Sequence, residues 1–181
     1  MRQPKPTPPY RQGELDSLCG LYALVNAVKH LCGPLDKHTA GRLFEQIVRC
    51  LEQRASLEQR IIWGTDLSEI GTVLGQVIDP QYPIRRCKGF HGRSRVTVDQ
   101  FWERLRQFFD EHGGIVLTAV GGEHEHWTLV DRVTVRVLHL YDSDGLRQLH
   151  RRCCTTNPDN AERQRHILYP SHTYLLWVDN P

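Results

Sequence analysis

Cys19 is the first residue of this chain whose setting could support chemistry. It opens a helical pattern within GELDSLCGLYALVNAVKHL, which runs from Gly13 to Leu31. Unpaired amides and the helix dipole at a helix start stabilise a thiolate. At about 100° per residue, the apolar stripe through Leu24 and Val28 lies almost opposite Cys19, so we expect this side chain to point away from the main core. A lone cysteine at a helix start is more often structural, so a role as nucleophile requires partners elsewhere.

A histidine that opens a strand is the strongest candidate for the general base. His126 begins HWTLVDRV, where an alternating pattern indicates a strand. His124 lies two residues earlier and is the alternative. We favour His126 because the indole of Trp127 can cover an imidazole there and exclude water.

A carboxylate at the end of the next strand would orient this imidazole and hold its tautomer. LYDSDG supplies Asp142 and Asp144. Antiparallel pairing about a turn near residues 131–134 brings the end of this strand beside His126. We favour Asp142, because the Asp144-Gly pair suits a structural turn.

An oxyanion donor completes the candidate site. Gln12 precedes Cys19 and could donate its side-chain N–H to a developing oxyanion, with the Cys19 backbone N–H as a second donor. The order Gln12, Cys19, His126 and Asp142 predicts a Cys-His-Asp hydrolase that attacks amide carbonyls.

The first half of the chain carries helical patterns that would position Cys19. Apolar residues at helical spacing predict helices over residues 18–31 and 37–54, from 65 to about 77, and from 97 to Gly113. Asp16 or Ser17 would cap the first helix, and Thr97 with Gln100 forms a capping box for the last.

The second half carries strand patterns that would position His126 and Asp142. Strands are predicted over 115–121, 126–133, 136–143 and 173–179, with a short one near 84–87 and a long polar connection over 147–171. Helices followed by strands predict an α+β fold, with the nucleophile helix packed on an antiparallel sheet. We interpret 1–181 as a single domain whose prolines hold residues 1–12 as an extended strap.

The composition of the chain argues against several classes of protein. A net charge of +2 is too mild to indicate nucleic-acid binding, and no apolar run resembles a signal peptide or a membrane span. The six cysteines form no CxxC pair, so we expect free thiols, no metal or other cofactor, and a cytoplasmic protein, with export by a specialised secretion system left open. A metal site of Cys153, Cys154, His150 and His166 is a weak alternative, because no ligand geometry is set there.

The motifs around these residues are similar to a known superfamily. DSLCGLYALVNAV, followed by HWTLV and LYDSDG, resembles the papain-like cysteine proteases. HW…L and YDS are similar to the proteases that cleave SUMO and related ubiquitin-like proteins. QGELDSLCGLYALVNAV also resembles the Josephin deubiquitinases and the double-glycine leader peptidases of bacterial exporters. The resemblance covers the region around Cys19 and residues 120–145, and it leaves 35–115 unmatched.

The resemblance implies a papain-like fold and a role for each candidate residue. Cys19 would be the nucleophile, His126 the general base and acid, Asp142 the orienting carboxylate and Gln12 the oxyanion donor. Gln12 lies seven residues before Cys19, whereas the superfamily commonly has five or six. The alternative is a hole of backbone amides after Asp16, similar to the ovarian-tumour-type deubiquitinases.

The resemblance leaves the substrate and the reaction open. A protein or peptide substrate is implied, cleaved at a peptide or an isopeptide bond. Bacterial toxins and effectors of the superfamily deamidate glutamine instead, and a catalytically inactive binding module would keep the same fold.

Overall fold

Five helices lie between residues 19 and 112. The computed structural model describes residues 7–53, 56–93, 95–123, 125–160 and 164–179. The helices are α1 (Cys19–Cys32), α2 (Lys37–Glu52), α3 (Leu57–Trp63), α4 (Leu67–Val73) and α5 (Val98–His112). A π-helical turn, Leu74–Ile78, continues α4. The four predicted helices are confirmed, but α3 was not predicted because seven residues carry too little periodicity.

Seven strands, six of them in the second half of the chain, form one sheet. Its strands are β1 (Ile84–Lys88), β2 (Ile115–Gly122), β3 (His126–Val133), β4 (Val137–Leu140), β5 (Gln148–His150), β6 (Cys154–Thr155) and β7 (His166–Val178). The order is β1-β7-β2-β3-β4-β5, with antiparallel neighbours, and β6 pairs in parallel with β7. The α+β prediction with an antiparallel sheet is therefore confirmed apart from β6.

The predicted polar connection over 147–171 is wrong. It contains β5, two 3-10 turns (Arg151–Cys153 and Pro158–Asn160), β6 and the first residues of β7. These strands were missed because β5 and β6 are only three and two residues long, and each gains its hydrogen bonds from a neighbouring strand.

The two faces of the sheet bury separate cores, because successive strand residues point to opposite sides. One face carries Leu117 and Leu129 and packs against α1, α2 and α4. The other carries Val116 and Val130 and packs against α5. The predicted capping box starts α5 at Thr97, and α5 ends at Gly113, whose φ of 72° suits a glycine.

The N-terminal segment lies along α1 as far as it is described; residues 1–6 of the predicted strap are outside the described residues. The buried Asn26 side chain bonds both the N–H and the carbonyl of Tyr10, at 2.7 and 2.9 Å. Lys29 donates to the carbonyl of Pro8, and Tyr141 donates to that of Thr7. These contacts fix the chain just before Gln12.

None of the helices formed by the described residues has both the length and the apolar content that a bilayer span requires.

Candidate active site

Cys19 is the first residue of α1 and is buried, with 7% of its surface exposed. We expected it to point away from the main core, and this was wrong. The helix is enclosed by other elements, so residues on every side of it are buried, including Ala23 and Asn26. Burial alone therefore does not distinguish a nucleophilic cysteine from a core cysteine. The groups around the sulfur atom have to make that distinction.

The start of α1 keeps its first amides available. Leu18 is the N-cap residue, and no side chain among the described residues caps the helix, so the predicted cap by Asp16 or Ser17 is wrong. Asp16 instead accepts from the backbone N–H groups of Gly13 and Leu18, at 3.0 and 3.1 Å. These bonds shape the loop before Cys19. The backbone N–H of Cys19 belongs to the first turn of the helix, where amides have no partner within the helix.

His126 lies between Cys19 and Asp142. Its Nε2 is 2.6 Å from Asp142 Oδ2, and Cys19 lies close enough to the imidazole to raise its pKa. Because Nε2 faces the carboxylate, Nδ1 is the ring nitrogen left for the thiol. The imidazole side chain is 8% exposed and that of Asp142 is fully buried, so the pair is shielded from water.

Asp142 reaches this position through the pairing of β3 with β4. The turn lies at residues 134–137, slightly later than predicted, and Val130 pairs with Leu140. Continuing this register by two residues puts Asp142 opposite Thr128. Thr128 Oγ1 donates to Asp142 Oδ2 at 2.6 Å.

Four hydrogen bonds hold the carboxylate of Asp142 in place. Besides Thr128 and His126 on Oδ2, the backbone N–H groups of Asp144 and Leu146 donate to Oδ1, at 2.9 and 3.0 Å. The side chain of Asp144 is exposed, and its backbone makes the turn contact that the sequence suggested. Asp142 is therefore the carboxylate in contact with the histidine. His124 lies outside the described residues.

The charges of the pair stabilise each other. Burial disfavours the imidazolium, but the hydrogen bond to Asp142 and the nearby Asp142 and Cys19 groups outweigh it, and they raise the pKa of His126 to about 10. Burial alone would raise the pKa of Asp142. The hydrogen bonds from His126, Thr128 and Leu146 outweigh burial, so the pKa of Asp142 is lowered overall. At neutral pH the arrangement favours a charged imidazolium beside an ionised carboxylate.

Gln12 lies next to the Asp142 loop. Its backbone N–H donates to the carbonyl of Ser143 at 3.1 Å, and its Oε1 accepts from Ser143 Oγ at 3.1 Å. Because this bond uses the side-chain oxygen of Gln12, the side-chain NH₂ group is the part left to interact with a ligand in the cleft. Gln12 and Cys19 both line the cleft described below, so the side-chain and backbone candidates for oxyanion donor face the same space.

Trp127 contacts the site differently from the expectation. We expected its indole to cover the imidazole, but Nε1 donates to the carbonyl of Thr65 at 2.8 Å and the ring contacts His172. Its backbone N–H lies 3.4 Å from Cys19 Sγ and donates to it. A thiolate gains more from this donor than a neutral thiol does.

The cleft around these residues has a volume of about 920 Å³. One wall comes from the end of α3 and the loop to α4, where Trp63 is 83% exposed. The lining also includes Tyr169 and His172, which lie in a bulge of β7 where the register against β2 shifts. Sequence reasoning missed this wall and this bulge. In the sequence, the only indication of this wall was the apolar run Ile61, Ile62 and Trp63 beside a glycine.

Thr65 is a second residue that the sequence did not single out. It is 9% exposed, it lines the cleft, and its hydroxyl has no hydrogen-bond partner among the described residues. A methyl group on Gly20 would overlap this hydroxyl, so the glycine after Cys19 lets Thr65 approach α1. The buried hydroxyl therefore lies against α1 without a hydrogen-bond partner among the described residues.

The six cysteines are free thiols in the structure. Within the described ranges no cluster of three or more His, Cys, Asp or Glu side chains could hold a metal ion. Cys154 donates to the carbonyl of His150 at 3.3 Å, and burial raises the pKa of its thiol to about 12.

Comparisons with protein-family models, with curated proteins and with solved structures find no match to this chain.

Proposed function

We propose that this protein is a papain-like cysteine hydrolase that cleaves amide bonds of proteins or peptides. Cys19 is the nucleophile, His126 the general base and acid, and Asp142 the orienting carboxylate. One observation carries the proposal: the buried His126 is hydrogen-bonded to Asp142 and lies beside Cys19 in the lining of one open cleft. A structural cysteine has no need of an imidazole held in this way.

The acylation step follows from the protonation state of the pair. The Cys19 thiolate attacks the carbonyl carbon, a C–S bond forms, and the carbonyl oxygen becomes an oxyanion. The His126 imidazolium then gives its Nδ1 proton to the leaving nitrogen as the C–N bond breaks. This leaves a thioester on Cys19, a free amine and a neutral imidazole.

Deacylation reverses the role of the histidine. Neutral His126 takes a proton from water as the water oxygen attacks the thioester carbonyl. The C–S bond breaks, the acid product leaves, and the thiolate–imidazolium pair is restored. Asp142 keeps the proton on Nε2 throughout, because its oxygen only accepts there.

Two groups could stabilise the oxyanion. The Cys19 backbone N–H lies at the uncapped start of α1, and Gln12, whose side-chain oxygen accepts from Ser143, lines the same cleft as Cys19. We therefore assign the oxyanion hole to Gln12 together with the backbone. Removing one such donor costs about 100- to 1000-fold in kcat in a well-studied protease.

Alkylation by iodoacetamide at pH 6 tests the proposal directly. We expect Cys19 to react at least tenfold faster than the exposed Cys32 and Cys87, because a thiolate is the reactive form and Cys19 alone lies beside an imidazolium. His126→Ala should remove this advantage. If Cys19 reacts no faster than the exposed thiols, the proposal is wrong.

Intact mass then separates cleavage from deamidation. Unfolded casein and a glutamine-containing peptide serve as substrates for the wild type and for Cys19→Ala. Fragments indicate a peptidase, whereas a gain of about 1 Da without fragments indicates the glutamine deamidase alternative, in which ammonia leaves in place of the amine. Either product must disappear with Cys19→Ala.

A further inference from the structure

Gln12 lies at the end of a strap that is bonded to the helix of the candidate nucleophile. The buried Asn26 side chain accepts from the N–H of Tyr10 at 2.7 Å and donates to the carbonyl of Tyr10 at 2.9 Å. The ammonium of Lys29 also lies over the Tyr10 ring, 4.1 Å from its centroid. Only one residue separates this fixed backbone from Gln12, so α1 restrains the end of the strap.

The strap is also bonded to both chain neighbours of Asp142. The hydroxyl of Tyr141 donates to the carbonyl of Thr7 at 2.7 Å. The carbonyl of Ser143 accepts from the backbone N–H of Gln12 at 3.1 Å. Tyr141 and Ser143 are buried, so water has little access to compete for these bonds. The strap is therefore fixed between α1 and the loop that holds Asp142.

Ser143 contacts Gln12 with its side chain as well as its backbone. Its Oγ donates to Gln12 Oε1 at 3.1 Å, so one serine binds both the main chain and the amide end of the glutamine. Gln12 and Cys19 line the cleft, whereas Ser143 is not among the described residues that line it. Ser143 is thus placed to act on the reaction through Gln12 and not by contact with a substrate.

This restraint on the Gln12 amide matters because an oxyanion donor is most effective when it is oriented before the reaction. A glutamine side chain that rotates freely loses conformational entropy when it is held in the transition state. It can also present its carbonyl oxygen, which repels an oxyanion. Because Oε1 is bonded to Ser143, the NH₂ group is the end of the amide that is available in the cleft.

We propose that Ser143 and Asn26 are positioning residues for the oxyanion donor. Asn26 fixes the strap two residues before Gln12. Ser143 orients the Gln12 amide so that its NH₂ group faces the oxyanion that forms when Cys19 attacks a carbonyl. This inference rests on the proposed function, because it assigns two residues a part in the oxyanion step of that reaction.

Two small reagents separate the oxyanion step from the reactivity of the thiolate. With p-nitrophenyl acetate, the Cys19 thiolate attacks the ester carbonyl, an oxyanion forms, and p-nitrophenolate leaves as the C–O bond breaks, which puts an acetyl thioester on Cys19. This leaving group needs no proton from His126. With iodoacetamide, the thiolate displaces iodide from a saturated carbon, so no oxyanion forms. Release of p-nitrophenolate, with Cys19→Ala as background, gives the acylation rate, and intact mass gives the alkylation rate.

Single substitutions should slow acylation and leave alkylation unchanged. We expect Gln12→Ala to slow acylation about tenfold or more, because an oriented oxyanion donor is lost. Ser143→Ala and Asn26→Ala, measured where each variant is folded, should slow it about threefold to tenfold, because hydrogen bonds that hold the donor are lost. The iodoacetamide rate of all three should stay within about twofold of the wild type. Ser68→Ala is the matched control and should change neither rate, since Ser68 is exposed on α4 and is not among the described residues that line the cleft.

Double substitutions show whether Ser143 and Asn26 act through Gln12. If they do, adding Ser143→Ala or Asn26→Ala to Gln12→Ala should slow acylation no further, because the group that they position is already absent. If either substitution adds its full factor, that residue acts independently of Gln12 and its assignment is overturned. A single substitution that slows alkylation as much as acylation would also overturn its assignment, because the thiolate and not the oxyanion is then affected.

The outcomes separate this inference from the proposed function. If Gln12→Ala is acylated as fast as the wild type while iodoacetamide still modifies Cys19 preferentially, Gln12 is not the oxyanion donor. The inference is then overturned and the hydrolase proposal stands. If iodoacetamide shows no preference for Cys19, the proposed function fails and the inference fails with it.

Discussion

Replacing Asp142 with asparagine should disable the histidine, although the two side chains have nearly the same shape. The backbone N–H groups of Asp144 and Leu146 donate to Oδ1 and cannot reverse. The single carbonyl oxygen of asparagine must therefore stay on that side, and its NH₂ must face Nε2 of His126. The imidazole then carries its proton on Nδ1 and cannot take one from Cys19.

The size of the effect follows from the charge that is removed. A rise in the pKa of His126 from 6.5 to about 10 corresponds to roughly 5 kcal/mol in favour of the imidazolium. Asp142 and Cys19 share this stabilisation. If the carboxylate supplies about half of it, Asp142→Asn loses roughly 2.5 kcal/mol, which is about 70-fold in a rate constant.

Two measurements check this value. The alkylation rate of Cys19 by iodoacetamide at pH 6 should fall by about 70-fold, and NMR titration of the His126 ring should show a lower pKa. Asp144→Asn is the control, because that side chain is exposed and does not contact the imidazole. If Asp142→Asn reacts within about threefold of the wild type and keeps the pKa of His126, Asp142 does not orient the base.

Further substitutions and conditions test the packing around the site. Gly20→Ala should cost about 1–3 kcal/mol of unfolding free energy, measured in urea, because the new methyl group overlaps Thr65. Asn26→Ala should cost about 2–3 kcal/mol, because two backbone groups of the strap lose their partner. Cys154 should resist iodoacetamide at pH 8.5 until the protein unfolds, since its buried thiol has a pKa of about 12. The hydrogen bonds of Asp142 lower its pKa despite burial, and Asp142 helps to raise the pKa of His126 to about 10. The stability advantage of the wild type over Asp142→Asn should therefore be full between about pH 3.8 and 6.5, and shrink as the pH falls below this range or rises towards 10.

Each of these expectations has a clear contrary result. Gly20→Ala with unchanged stability would mean that Thr65 does not lie against α1. Asn26→Ala with unchanged stability would mean that the strap is not fixed there. Native-state labelling of Cys154 would contradict its burial, and a stability difference that is independent of pH would contradict an ionised Asp142.

The sequence by itself determined most of the longer elements and the order of the candidate catalytic residues along the chain. The helical period of α1, the capping box at Thr97 and the alternation after His126 are local patterns, and local steric and hydrogen-bonding preferences are enough to produce them. The same patterns placed Cys19 at a helix start and His126 at a strand start. A resemblance between short motifs then suggested how these residues work together.

Only the tertiary structure decided which residues meet. Asp142 reaches His126 through the pairing register of β3 with β4, and the Thr65 wall and the Tyr169 bulge come from segments far apart in sequence. The burial of Cys19 also depends on elements that surround α1, which the phase of one helix cannot reveal. Such contacts arise from long-range packing, where many weak interactions compete, so a local pattern can indicate a strand or a helix without indicating its neighbours.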